Sequence, residues 1–128
     1  MNVLLDTHAF LWAITEDARL SEPARQIFLS GANQLFLSVA SLWEIMVKVQ
    51  IGKLPLPKRT DQYLLDQLSR NAFQTLPVQA SHVLRLFKPP HHHSDPFDRV
   101  LIAQSQAEGL PILTADPLIR KYPVKTMW

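Results

Sequence analysis

The chain has 128 residues, 47% of them apolar and 19% charged, with a formal charge of +2 and no cysteine. That length carries one core and the balance is that of a folded globular chain, so one domain over residues 1–128 is expected and disorder is excluded. The small net charge makes no case for nucleic acid by itself, and disulfides and thiolate metal sites are ruled out. The opening Met-Asn-Val-Leu-Leu-Asp has no basic n-region and no long apolar run, so neither a signal peptide nor a membrane span is expected and a cytoplasmic setting is compatible.

Val3–Leu5 reads as a buried strand, halted by Asp6-Thr7, with a helix starting over Thr7–Ile14. Ser21-Glu22-Pro23 has the cap and first-turn proline of a helix that runs towards Gly31. Leu35–Ser38 is a second short strand, and Ala40–Gln50 a third helix ended by Gly52. Lys53–Arg59 is a basic, proline-containing loop. Asp61–Asn71 is helical, with Tyr63, Leu64, Leu65 and Leu68 as its apolar stripe. Phe73–Leu76 reads as a strand, Ser81–Phe87 as a short helix and Lys88–Ser94 as a proline- and histidine-rich loop. Pro96–Glu108 is a helix stopped by Gly109; Pro111–Leu113 and Val124–Thr126 are the last strands.

Strands alternating with helices predict an α/β fold, a mostly parallel central sheet with helices on both faces. Ligands in such sheets bind beyond the carboxyl ends of the strands. Four acids fall where strands meet helices: Asp6, Glu44, Asp98 and Asp116. Each of the three aspartates is also a natural helix cap, and Asp95-Pro96-Phe97-Asp98 has the spacing of a helix start. Glu44 fits capping less well. It forms a narrow polar stripe with Ser41 and Lys48 on an otherwise apolar helix, and the bland alternative is a half-exposed Glu44–Lys48 pair. Taken jointly, carboxylates brought close repel, and one takes up a proton unless a cation intervenes. Hard oxygen ligands favour Mg²⁺ or Mn²⁺ over zinc, and such a site can polarise a phosphoryl oxygen and activate water.

The segments "LLDTHAFLW", "SVASLWEIMVK" and "HSDPFDRVLIAQSQAEGLPILTAD" resemble PIN-domain proteins, above all the VapC-type ribonuclease toxins of toxin–antitoxin pairs. The resemblance spans almost the whole chain. It implies a PIN-like three-layer sandwich and an acidic pocket that binds Mg²⁺ or Mn²⁺ and cleaves RNA. By resemblance, the acids are Asp6 in "LLDT", Glu44 in "WEI", Asp98 before "RVLIA" and Asp116 in "TAD". Asp6 and Asp98 would be the main ligands, with Glu44 and Asp116 acting directly or through water. Asp95 is an extra acid at the rim, and Thr114 a hydroxyl that hydrogen-bonds near the metal. The resemblance also implies a homodimer and a small VapB-type antitoxin that inserts a basic side chain into the pocket.

Other residues remain open between two readings. His91, His92 and His93 cannot all face one metal in regular structure; His93 could orient Asp95 or touch phosphate, or be an incidental loop residue. Arg99 could pair with an acid or contact phosphate. Lys48, Lys53, Lys58 and Arg59 could form an RNA-binding rim or a solvated surface, as could Arg120, Lys121 and Lys125. His8 suits a helix start better than a ligand. Phe10 and Trp12 could stack on a base, or be buried in core or in a subunit contact. The expected activity is metal-dependent hydrolysis of RNA by water, leaving 5′-phosphate and 3′-hydroxyl ends. The alternatives are a PIN nuclease of RNA processing or DNA outside a toxin pair, and a non-catalytic PIN scaffold that binds RNA or protein.

Overall fold

The computed structural model describes residues 1–87 and 95–128. In chain order the elements are β1 (Asn2–Leu5), α1 (Thr7–Ile14), α2 (Glu22–Leu29), β2 (Gln34–Ser38), α3 (Val39–Gln50), α4 (Thr60–Arg70), β3 (Gln74–Leu76), α5 (Ala80–Arg85), α6 (Pro96–Glu108), β4 (Ile112–Leu113), a 3₁₀ turn (Ile119–Lys121) and β5 (Thr126–Met127). The strands form one sheet in the order β3-β2-β1-β4-β5, and every pair is parallel. A parallel sheet needs both faces covered. That explains why Val3, Leu4 and Leu5 are all apolar and all fully buried in the central strand.

Their alternation divides the molecule into layers. Val3 and Leu5 join Leu35, Leu37 and Leu113 in a core roofed by Phe10 of α1, Ala24 of α2, Ile45 of α3, and Leu64 and Leu68 of α4. Leu4 and Ile112 point to the other face, against Leu101 and Ile102 of α6, Ile119 and Tyr122. The period-2 geometry of a strand thus sorts adjacent leucines into two cores.

The helix starts follow the expected chemistry. Ser21 accepts from the Ala24 amide at 3.1 Å, with Pro23 in the first turn, and Ser38 accepts from the Ala40 amide at 3.0 Å. Gly109 closes α6 at φ 67°, a left-handed conformation that glycine adopts without steric cost.

Some expectations need correction. Leu65 does not belong to the buried stripe of α4: it is 59% exposed, because the buried line runs through Thr60, Leu64 and Leu68. The last strand begins later than Val124, after Val124 has donated to the Tyr122 carbonyl in a tight turn at 2.8 Å. α2 stops before Gly31, where the Ser30 amide donates to the Gln26 carbonyl.

From β1 the chain proceeds to β2 and β3 on one side, while β4 and β5 lie on the other. The order therefore reverses between β1 and β4, whose carboxyl ends meet at Leu5 and Leu113. A crevice opens at such a reversal.

Candidate active site

Asp6 stands at that reversal. Its amide donates to the Leu113 carbonyl at 3.1 Å, which fixes it to β4. One carboxylate oxygen, Oδ1, accepts from the Ala9 amide at 2.6 Å and caps α1. The other, Oδ2, accepts the hydroxyl proton of Thr114, the residue that follows β4. Thr114 in turn accepts from the Asp116 amide at 3.0 Å, and Asp116 Oδ1 accepts from the Leu118 amide at 2.8 Å. Capping and convergence are therefore not exclusive: Asp6 does both.

Glu44 approaches from α3 and is buried, with 2% exposure. Oε1 accepts the Thr7 hydroxyl at 2.7 Å, and Thr7 also lies 2.9 Å from the Ser41 hydroxyl. Lys48 Nζ lies 2.5 Å from Oε2, so the expected half-exposed pair is open only at its lysine end. Lys48 is held above its ordinary value. Burial would lower it, but the Glu44 bond and charge outweigh that, helped by the charges of Asp95 and Asp98. Its amine belongs to the acidic centre rather than to a separate rim.

Asp98 lies in the first turn of α6, which Asp95 caps by accepting from the amides of Phe97 at 2.9 Å and Asp98 at 3.4 Å. Trp43 and Phe97, the sequence neighbours of Glu44 and Asp98, meet edge-to-face at 5.1 Å and tie α3 to α6 beside the acids. The Asp98 carboxyl is pushed up to about 8, first by burial and then by the charges of Asp95, Glu44, Asp6 and Asp116. Asp6 is also raised, mainly by burial and with a contribution from Asp116, although its bonds to Thr114 and Ala9 oppose the rise. Five carboxylates from four parts of the chain thus act electrostatically on one another.

They do not already form a ligand cage. Among the described residues no three acidic or histidine side chains stand in ligating arrangement around one point. The acids are instead turned towards Thr7, Lys48, Thr114 and backbone amides. The donor set nonetheless fits a hard divalent cation. It is all oxygen, carries excess negative charge, and includes in Asp98 a carboxyl that burial and neighbouring acids push up to about 8.

The remaining candidates separate. Lys53, Lys58 and Arg59 are exposed, in the stretch between α3 and α4. Arg99 Nη2 donates to the Leu86 carbonyl at 2.9 Å, which anchors one end of its guanidinium to backbone. His93, like His91 and His92, lies outside the described residues. Thr7 and Ser41 were not anticipated as supports of Glu44. The available signals were that Thr7 follows Asp6 and that Ser41 precedes Glu44 by three residues, on the same helix face.

A family model of the PIN domain matches residues 3–125. The chain belongs to the PIN domain family. This PIN domain is 36% identical over 58 residues to a Mycobacterium tuberculosis (strain ATCC 25618 / H37Rv) protein named Ribonuclease VapC16. The match covers 45% of the present chain and 41% of that relative, so the chain spans less than half of the relative's length. Its fold is similar to that of a chain in the crystal structure of VapBC2 from Rickettsia felis bound to a DNA fragment from their promoter. The TM-score is 0.73 at 18% identity, covering 99% of this chain and 98% of that one. Among the described residues no helix is long and apolar enough to cross a membrane.

Proposed function

We propose that this PIN domain, acting as a single unit over residues 1–128, is a Mg²⁺- or Mn²⁺-dependent endoribonuclease and the toxin of a VapBC-type pair. The reading is supported above all by Asp98, whose carboxyl is driven to about 8 by burial and by Asp95, Glu44, Asp6 and Asp116. Asp6 and Asp98 would hold the ion, with Glu44 and Asp116 completing the set directly or through water. When bound, the ion supplies Lewis acidity at a phosphoryl oxygen and a water of lowered pKa. Thr114 keeps Asp6 oriented, and Thr7 does the same for Glu44. Lys53, Lys58 and Arg59 would hold the RNA backbone. The names of the relatives, Ribonuclease VapC16 and VapBC2, support both the RNA substrate and a VapB antitoxin as partner. The protein would act as a homodimer.

The test is incubation of purified protein with RNA, with and without Mn²⁺, beside Asp6→Asn and Asp98→Asn. Cleavage that needs Mn²⁺, fails in both variants and leaves 5′-phosphate ends is expected. Ends bearing 2′,3′-cyclic phosphate would contradict attack by water.

A second reading, a non-catalytic PIN scaffold, draws support from the caps. Asp6, Asp95 and Asp116 all accept backbone amides. On that reading Mn²⁺ would neither stabilise the protein nor support cleavage.

A further inference from the structure

A cleft of about 300 Å³ opens beside Asp6 and Asp116, walled by His8, Trp12, Arg19 and Pro117. His8 and Trp12 lie one turn apart on α1, the helix that Asp6 caps, with ring centroids 5.7 Å apart. Trp12 also meets Trp128 edge-on at 5.7 Å and 65°, which sets the plane of the indole. The Arg19 guanidinium lies over the same indole, 4.9 Å from its centroid.

Arg19 reaches that position through a costly turn. Glu16 adopts φ 53°, the left-handed region that favours glycine. The Asp17 amide then donates to the Trp12 carbonyl at 2.9 Å, and the chain folds back along α1. The Asp17 carboxylate takes the Arg19 amide, Nε and Nη2 at 2.9, 3.0 and 2.8 Å. This pairing holds the guanidinium plane in place and offsets its charge. The arrangement suits stacking better than a bare phosphate clamp.

We propose that this cleft is a nucleobase subsite, in which an unpaired base beside the phosphate at Asp6 stacks on Trp12, flanked by His8 and Arg19. The inference rests on the ribonuclease reading and adds to it the groups that would hold a base next to the scissile phosphate: Trp12, His8 and Arg19. Aromatic and guanidinium planes accept any base that has left its helix, and do so with little regard to sequence. Trp12 lies roughly 9 Å along the helix axis from Asp6, within reach of a neighbouring nucleotide.

The experiment measures binding of a fluorescent single-stranded oligoribonucleotide to protein with its acidic residues intact, in Ca²⁺, a hard oxygen-seeking ion used in place of Mn²⁺ to slow hydrolysis. Inorganic polyphosphate, a polyanion without bases, serves as the parallel probe. Adding Trp12→Leu is expected to weaken RNA binding about tenfold, with polyphosphate binding unchanged. Trp12→Phe should restore most of the loss. Arg19→Lys, an exposed substitution that keeps the charge and removes the plane, should weaken RNA binding several-fold on its own, which covers the case in which Trp12→Leu fails to fold. RNA affinity unchanged in both variants, or equal losses for RNA and polyphosphate, overturns the subsite. Mn²⁺-dependent cleavage by the parent protein is scored separately, so the failure of the subsite and the failure of the nuclease reading are distinguished.

Discussion

The Thr114 hydroxyl donates to the Asp6 carboxylate, joining residues 108 positions apart in sequence across the β1–β4 boundary. Thr114 is fully buried and accepts the Asp116 amide with the same oxygen. One hydroxyl therefore sets the geometry of two acids. Thr114→Val keeps the shape but removes one partner of the buried Asp6 carboxylate and the acceptor of the part-buried Asp116 amide. A loss of about 2 kcal/mol in urea unfolding is expected, with Thr114→Ser close to the parent. Equal stability of the valine and serine variants would show that the bond contributes nothing.

If Glu44 helps to hold a divalent ion, Lys48, which lies 2.5 Å from its Oε2, competes with that ion. Lys48→Met leaves a buried carboxylate without its cation. A fully buried pair broken this way costs about 3–5 kcal/mol, but the Lys48 side chain is 36% exposed and the figure must be discounted to about 1–2 kcal/mol. In thermal melts the metal-free variant is expected to fall by several degrees. Mn²⁺ should then stabilise Lys48→Met more than it stabilises the parent. An equal Mn²⁺ response in the two proteins would place the ion away from Glu44.

Asp98 gives the protein a pH dependence of definite sign. Its carboxyl sits near an ordinary 3.8 when exposed and at about 8 in the fold, because burial and four neighbouring acids disfavour the charge. A group raised by folding contributes its full share of stability below its unfolded value and loses it as pH rises through its folded one. Metal-free protein should therefore weaken from pH 4 towards pH 8, and Asp6, raised in the same direction, adds to the slope. Asp98→Asn should flatten much of it in urea melts taken across that range. If Mn²⁺ binds at Asp98 it must displace the proton, so its affinity should climb with pH over the same window.

Lys58 and Arg59 are exposed just ahead of α4. If they hold phosphates, Lys58→Gln and Arg59→Gln should each weaken single-stranded RNA binding irrespective of sequence. Each should also reduce the slope of log affinity against log salt by about 0.7. Unchanged slopes would make them a solvated surface.

Much of this was legible in the chain because local signals agreed with the fold. Ser21 and Asp95 cap as their neighbours suggest, and Gly109 closes α6, whereas Ser38, read only as a strand end, proves to be the cap of α3. The apolar run at Val3–Leu5 declares a strand covered on both sides. What misled was phase: Leu65 belongs to a leucine-rich helix but points outwards, which a count of apolar residues does not reveal. Capping by Asp6 does not exclude its convergence with β4, since one oxygen caps α1 and the other accepts from Thr114. Arg19 carried no signal, because its place over Trp12 depends on a left-handed glutamate that no propensity anticipates. Lys48 was readable as the i,i+4 partner of Glu44, but the depth of that pair was not, because burial of Glu44 depends on packing against α1 through Thr7.

The proposed activity requires that Asp6, Glu44, Asp98 and Asp116 share one divalent ion. Titration of Mn²⁺ into the protein, followed by loss of the free-ion paramagnetic resonance signal, addresses this directly. Saturable binding is predicted, abolished by Asp98→Asn and weakened by Glu44→Gln, with no change in Lys53→Gln. Mn²⁺ that stays free, or that binds Asp98→Asn as tightly as the parent, would contradict it.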